Sequence, residues 1–162
     1  MPATPGMKPV AVVAAAQEAR KLSAGLPEDI RRALAGRTRQ PLGDVFGLRS
    51  FGVNLGRLAP GARSSLRHAH SAQDEFVYVL EGTPTLVTDA GETLLAPGMC
   101  AGFAAGSGDA HHLINRGSID AVYLEVGDRN EPDTCTYPDD DLQGAHDADG
   151  TFRYRRKDGT PL

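Results

Sequence analysis

The 162-residue chain lacks several things that would assign it to a class at once. It has no apolar run approaching the ~20 residues a helix needs to cross a bilayer. It has no surplus of positive charge: 17 Lys/Arg against 21 Asp/Glu give a net charge of −4. That balance argues against a nucleic-acid binder, which needs a basic footprint. Its two cysteines, Cys100 and Cys135, belong to no CxxC pair. A chain of this length can bury a core without staples, so no disulfide framework is expected. Both are read as reduced thiols of a cytoplasmic protein. The apolar stretch 10–16 is followed at once by Gln17, Glu18, Arg20 and Lys21. That pattern reads as the start of an amphipathic helix and not as an export signal. There is no internal repeat, and no long helical periodicity separates the β-type runs after residue 43, which disfavours βαβ units.

What is present is turn chemistry. The chain holds 19 Gly and 11 Pro, a supply suited to many short strands. Strands are expected near 45–58, 63–68, 75–81, 84–88, 92–95, 99–103, 110–115 and 120–126. Between them stand Pro60-Gly61, Glu81-Gly82, Asp89-Ala90-Gly91, Pro97-Gly98 and Arg116-Gly117. Such spacing predicts a sandwich or barrel. Before it, a helix is expected over 10–24. A second short one opens at Pro27 with Glu28 and Asp29 in its first turn and ends at Gly36. After Gly127 an irregular acidic stretch leads to 151–156, where Phe152 and Tyr154 alternate with charges as in an edge strand. The organisation predicted is an N-terminal extension (1–42), a β-barrel (43–127) and a C-terminal extension (128–162). Residues 1–42 carry seven Lys/Arg to three Asp/Glu, and 128–149 carry eight Asp/Glu to one Arg. The two flanks are read as solvated surfaces that could also meet each other or a second subunit.

Four of the five histidines fall in two groups, His68-Ala69-His70 and His111-His112. Residues two apart on a strand face the same side, so His68 and His70 can share one metal ion. Glu75 opens the next strand, where a carboxylate is costly to bury unless paired or metal-bound. His111, on a later strand, can close the set. Parity turns His112 to the other face. His146 is expected in a solvated loop, Arg67 at the surface, and Asp74 in the turn before Glu75.

The spacing resembles the cupin superfamily. The first motif reads Gly61, ARSSLR, His68-Ala69-His70, SAQD, Glu75, FVYVLE, Gly82. The second reads Gly98, MCAGF, Ala104-Ala105-Gly106, SGDA, His111, HLI, Asn115. Ala104 stands where the family has Pro, and the gap before His111 is two residues longer. The resemblance covers about half the chain and implies an all-β cupin double-stranded β-helix, a jelly-roll barrel with short N-terminal helices. It also implies one divalent metal ion (Zn, Fe, Mn or Ni) held by His68, His70, Glu75 and His111. Three imidazoles and one carboxylate leave open positions, the mark of a catalytic metal. The reading is therefore a metal-dependent enzyme of dioxygenase, isomerase, lyase or hydrolase type. Its expected substrate is a small metabolite that chelates through oxygens. The alternative is a non-catalytic small-ligand-binding or sensor cupin.

Parity places Leu66, Val77 and Val79 beside the metal, with Phe103 at the mouth, in a small and mostly apolar pocket. Phe76, Tyr78 and Leu80 fall on the opposite face, which needs a cover. A homodimer is expected to supply it, although residues 10–36 could do so within one chain. Cys100 is read as a buried structural thiol.

Overall fold

Side-chain alternation sets the architecture. In the segment 75–81, Val77 and Val79 are buried while Phe76 and Tyr78 are exposed, as the two-residue period of a strand dictates. The computed structural model of the protein describes residues 8–22, 26–147 and 152–162.

A short helix α1 (Glu28–Ala33) precedes strand β1 (Arg37–Pro41), helix α2 (Leu42–Phe46) and β2 (Phe51–Leu58). Then come β3 (Ala69–His70), β4 (Glu75–Glu81), β5 (Thr85–Thr88), β6 (Gly91–Leu94) and β7 (Cys100–Phe103). The chain continues through β8 (His112–Ile114), β9 (Ala121–Asp128), β10 (Thr134–Tyr137), β11 (Leu142–His146) and β12 (Phe152–Arg155). Three antiparallel sheets result, in the orders β1-β2-β9-β4-β7, β12-β11-β10-β3 and β6-β5-β8. This is the all-β jelly roll expected, with short helices near its N-terminal end.

Two apolar clusters flank the centre. Leu58, Val77, Val79, Leu86, Leu113 and Tyr123 pack between the five- and three-stranded sheets. Leu26, Ile30 and Leu34 of the α1 region meet Leu66, Tyr137 and Leu142 in the other. Helix α1 is amphipathic at four-residue spacing, and Glu28/Asp29 at its start and Arg31/Arg32 at its end complement its dipole. Gly36, at φ 78°, turns the chain into β1.

Two glycines are required by close approach. A Cβ on Gly56 would stand 2.3 Å from Tyr123 Cζ. One on Gly82, already at φ 70°, would stand 2.5 Å from the Asp120 carbonyl. Asn115, at the end of the second motif, acts as a latch. Its amide donates to the Leu58 and Ile119 carbonyls, each at 2.8 Å, and its oxygen accepts the Gly117 N–H at 3.0 Å.

Several expectations are corrected. The helix foreseen over 10–24 is, in its described part, a single 3-10 turn at Ala14–Ala16; residues 23 and 24 lie outside the described residues. No side chain caps that turn and none of its residues is buried, and short helices without packing do not persist. Arg20 N–H instead donates to the Arg39 carbonyl at 2.8 Å, tying the segment to β1. Residues 45–50 are not strand: α2 runs to Phe46 and ends at Gly47, and 48–50 are irregular. β1, unforeseen, pairs with β2 along its whole length. The segment 63–68 forms only isolated bridges, Arg63 to Ile114 and His68 to His111. The acidic stretch after Gly127 contains β10 and β11, with Asp139, Asp140 and Asp141 in the turn between them. Cys100 is exposed, paired in register with Tyr78 on the outer sheet face.

Candidate metal centre

The backbone brings the first two candidate ligands together directly. His68 N–H donates to the His111 carbonyl at 3.1 Å, and His111 N–H returns to the His68 carbonyl at 2.8 Å. Residues so paired project side chains to one side. His70 follows two positions later on β3, which pairs with β10 at Cys135. Glu75 begins β4 and lies between Phe103 of β7 and Gly127 of β9.

The side chains converge on one oxygen. His111, His68 and His70 place Nε2 at 2.9, 3.5 and 3.7 Å from Glu75 Oε2. Donors bound to one ion at ~2.1 Å stand about 3.0 Å apart in an octahedron and about 3.4 Å in a tetrahedron. The observed separations span that range. All four side chains are mostly covered, at 8–16% exposure.

Each imidazole is oriented from its other nitrogen. His68 Nδ1 lies 3.0 Å from the Leu66 carbonyl and 3.1 Å from Ser65 Oγ. His70 Nδ1 lies 2.6 Å from Asp133 Oδ2, and His111 Nδ1 lies 3.5 Å from the Asp109 carbonyl. A carbonyl or carboxylate there can accept from Nδ1–H, which, with an ion bound, would leave the Nε2 lone pair for it. Two overlapping groups of three could hold a metal ion, His68 with Glu75 and His111, and His68 with His70 and Cys135. Phe103 stacks on His111, with ring centroids 3.4 Å apart and planes within 1°.

Burial pushes the Glu75 carboxyl upward, but the hydrogen bonds from His111 and His68 and the histidine charges outweigh it. The group is held well below its ordinary value. Asp133 is likewise raised by burial and lowered more by His70 and the Ala72 N–H, with a net fall. Burial pushes the Cys135 thiol up to about 12 and raises Tyr137 far above its usual range.

An open cleft of about 1470 Å³ lies over the cluster, with His68, His70 and Glu75 in its floor. Leu66 is in its wall. Val77 and Val79 are not; they sit in the apolar core behind the site. Phe103 lines a separate small recess beside His70, Glu75 and His111. The pocket is therefore neither small nor mostly apolar. The segment around Leu26–Leu34 and the C-terminal sheet stand out as walls, and β1 and β9 turn Arg37, Arg39 and Glu125 inward. Glu125 is ion-paired with Arg39 and accepts from Asn54 at 3.1 Å. Sequence reasoning missed these groups along with Asp133, Cys135 and Tyr137. The alternations Arg37-Thr38-Arg39 and Cys135-Thr136-Tyr137 were the available signal.

The remaining candidates have structural places. His112 pairs with Val87 on β5, away from the cluster, and its Nδ1 is buried without a partner. His146 is not in a loop; it ends β11, ion-pairs with Glu131 at 2.7 Å and meets the Phe152 ring edge-on. Arg67 lies outside the cleft, tied down by exposed acids. It grips Asp139 at 2.7 and 2.8 Å, also pairs with Asp89, and is only 17% exposed. Asp74 holds the turn before β4, accepting the Ala105 N–H at 2.7 Å. Gly106 N–H reaches the His70 carbonyl at 2.9 Å, so that loop closes with Ala104 in place of proline. Among the described residues, no helix is long and apolar enough to cross a membrane.

The family model described as a cupin domain matches residues 54–127. A sugar phosphate isomerase of the cupin superfamily from Silicibacter pomeroyi is 47% identical, with 91% of this chain and 93% of that chain covered and a TM-score of 0.84. A provisionally assigned sugar phosphate isomerase from Acidithiobacillus ferrooxidans is 31% identical over 78% of this chain and 80% of that one, with a TM-score of 0.70. A polyketide cyclase from Streptomyces resistomycificus shares the fold at 20% identity, covering 76% of this chain and 82% of that one, with a TM-score of 0.61. No curated protein matches. Histidines delivered by paired strands to one carboxylate, inside a jelly roll shared along nearly the whole length of a relative, place this chain in the cupin superfamily.

Proposed function

We propose that the protein is a metal-dependent enzyme acting on a small, oxygen-rich metabolite, and that the reaction is an isomerisation of a phosphorylated sugar. The observation that carries the metal is the convergence of three Nε2 atoms on Glu75 Oε2, each ring fixed from behind at Nδ1. His68, His70, Glu75 and His111 would hold one divalent ion, which would supply Lewis acidity toward a carbonyl or hydroxyl oxygen. The likeness to the two isomerases supports the substrate class. The cleft is consistent with it, being large enough for a phosphorylated sugar.

Elemental mass spectrometry of the purified protein tests this first. About one equivalent of zinc, iron, manganese or nickel is expected, and none in the His68→Ala/His111→Ala variant. Loaded protein in deuterated water should then exchange a carbon-bound proton of an aldose or ketose phosphate, followed by NMR. Failure to take up any of the four ions would overturn the reading. Metal uptake with tight binding but no exchange would reduce the protein to a binding module.

Assembly follows from the outer face of β4. Phe76, Tyr78 and Leu80 are 41, 38 and 40% exposed, so the described part of the N-terminal segment does not cover them. A second copy of the chain is the proposed cover. Light scattering of wild type against a Phe76→Lys/Tyr78→Lys variant decides it; a monomeric wild type would end the idea.

A further inference from the structure

The cleft carries as many acids as bases: six Lys/Arg and six Asp/Glu line it. What distinguishes its sides is pairing. Asp44 is taken by Arg20 at 2.6 Å and Arg129 at 2.5 Å. Glu131 is taken by His146, and Asp147 by Arg153 and Arg155. Glu125 is taken by Arg39, and Glu75 by the histidines. Asp128 accepts backbone N–H groups of Asp74 and Asn130 at 3.0 Å each.

Arg37 is the exception on the β1 wall. It lines the cleft and is partly buried. Among the described residues its guanidinium donates to one neutral acceptor, the Ser64 carbonyl, and meets no carboxylate. Two positions on, Arg39 keeps a buried Nε with no partner beside the group that pairs with Glu125. Residues two apart on a strand project to one face. The wall therefore presents two guanidinium groups with a single carboxylate between them. A cation taken partly out of water without a counter-ion is unfavourable, and a bound oxyanion would offset that cost. The planar fork of a guanidinium matches such a group in two-point fashion.

We infer that Arg37, with the positive charge of Arg39 behind it, is the subsite for an oxyanion, phosphoryl or carboxylate, carried by the substrate. The inference rests on reading this cleft as the substrate site. It assigns the charged end of the substrate to the β1 wall and leaves the chelating end for the donors of β3 and β4.

Calorimetric titration with inorganic phosphate, and separately with acetate, tests it on metal-loaded and chelator-treated protein. Wild type should bind in both states. Arg37→Ala and Arg37→Gln should bind at least about tenfold more weakly, the scale of one charge-assisted hydrogen bond, at unchanged metal content and unfolding midpoint. The Gln variant keeps a donor for the Ser64 carbonyl, so the fold survives the loss of charge. Tighter phosphate binding identifies a phosphoryl group, and tighter acetate binding a carboxylate. Equal affinity in variant and wild type, binding only when metal is present, or no binding by wild type would each overturn the subsite. Arg37-dependent binding by a protein that takes up no metal would uphold the subsite while sinking the metalloenzyme reading.

Discussion

Replacing Asp133 by Asn changes one atom and should disable a ligand it never displaces. Asp133 is 3% exposed. One oxygen accepts the Ala72 N–H at 2.8 Å and the Ser71 hydroxyl at 3.2 Å, while the other accepts from His70 Nδ1 at 2.6 Å. In the Asn variant the single carbonyl oxygen must face the Ala72 N–H, because an amide group there would set donor against donor. The NH2 then points at His70 Nδ1, which must become the acceptor. The ring proton moves to Nε2, the atom aimed at Glu75 Oε2, and a protonated nitrogen is no ligand. Loss of such a supporting carboxylate weakens metal binding about 10- to 100-fold. A value near 30-fold, about 2 kcal/mol, is expected. Competition against a chromophoric chelator at pH 7.5 measures it, and nitrogen–proton correlation NMR of the metal-free protein should find the His70 proton on Nε2. An affinity within threefold of wild type, with the proton still on Nδ1, would refute the reasoning.

Gly56→Ala should destabilise the fold by about 3 kcal/mol, the upper range for overpacking. The new methyl group meets the Tyr123 ring, itself 1% exposed and unable to retreat; urea denaturation checks this. Glu125→Gln leaves Arg39 buried beside a neutral amide and should cost about 3 kcal/mol, read in the same denaturation series. Metal-free protein should also lose stability in acid because of His112, whose burial lowers its value from 6.5 to about 4. A base with a depressed folded value contributes stability fully above its unfolded value. Between pH 6.5 and 4 only the unfolded chain gains the proton, so stability falls across that window, by about 2 kcal/mol after allowing for partial exposure. In His112→Phe the slope over that window should flatten.

The clustering of the candidate donors was legible because it depends on short-range rules. Two histidines one residue apart and a Glu leading an apolar strand carry their own geometry. What surrounds them depends on long-range pairing. Asp133 reaches His70 only because β10 lies beside β3, 65 residues away in sequence, and nothing in the acidic run singles it out. Parity misplaced Val77 and Val79 for a related reason. They do point inward, but the inner face of β4 is deep enough that its first residue meets the site while the next two meet the core. The helix expected over 10–24 was a propensity reading, and it yielded to tethering of the segment along β1. The charged cleft was invisible for want of β1, whose sequence RTRQP offers too little apolar alternation to announce a strand.

The stretch that matches the cupin family, residues 54–127, contains all four donors. Asp133 on one side of it and Arg37 and Arg39 on the other lie outside. A graft of that stretch into another scaffold would carry these candidate donors with it. It would leave behind both the carboxylate that holds His70 Nδ1 and the cations that line the cleft. Whether an ion binds, and what else binds near it, are thus separable traits, inherited from different parts of the same chain.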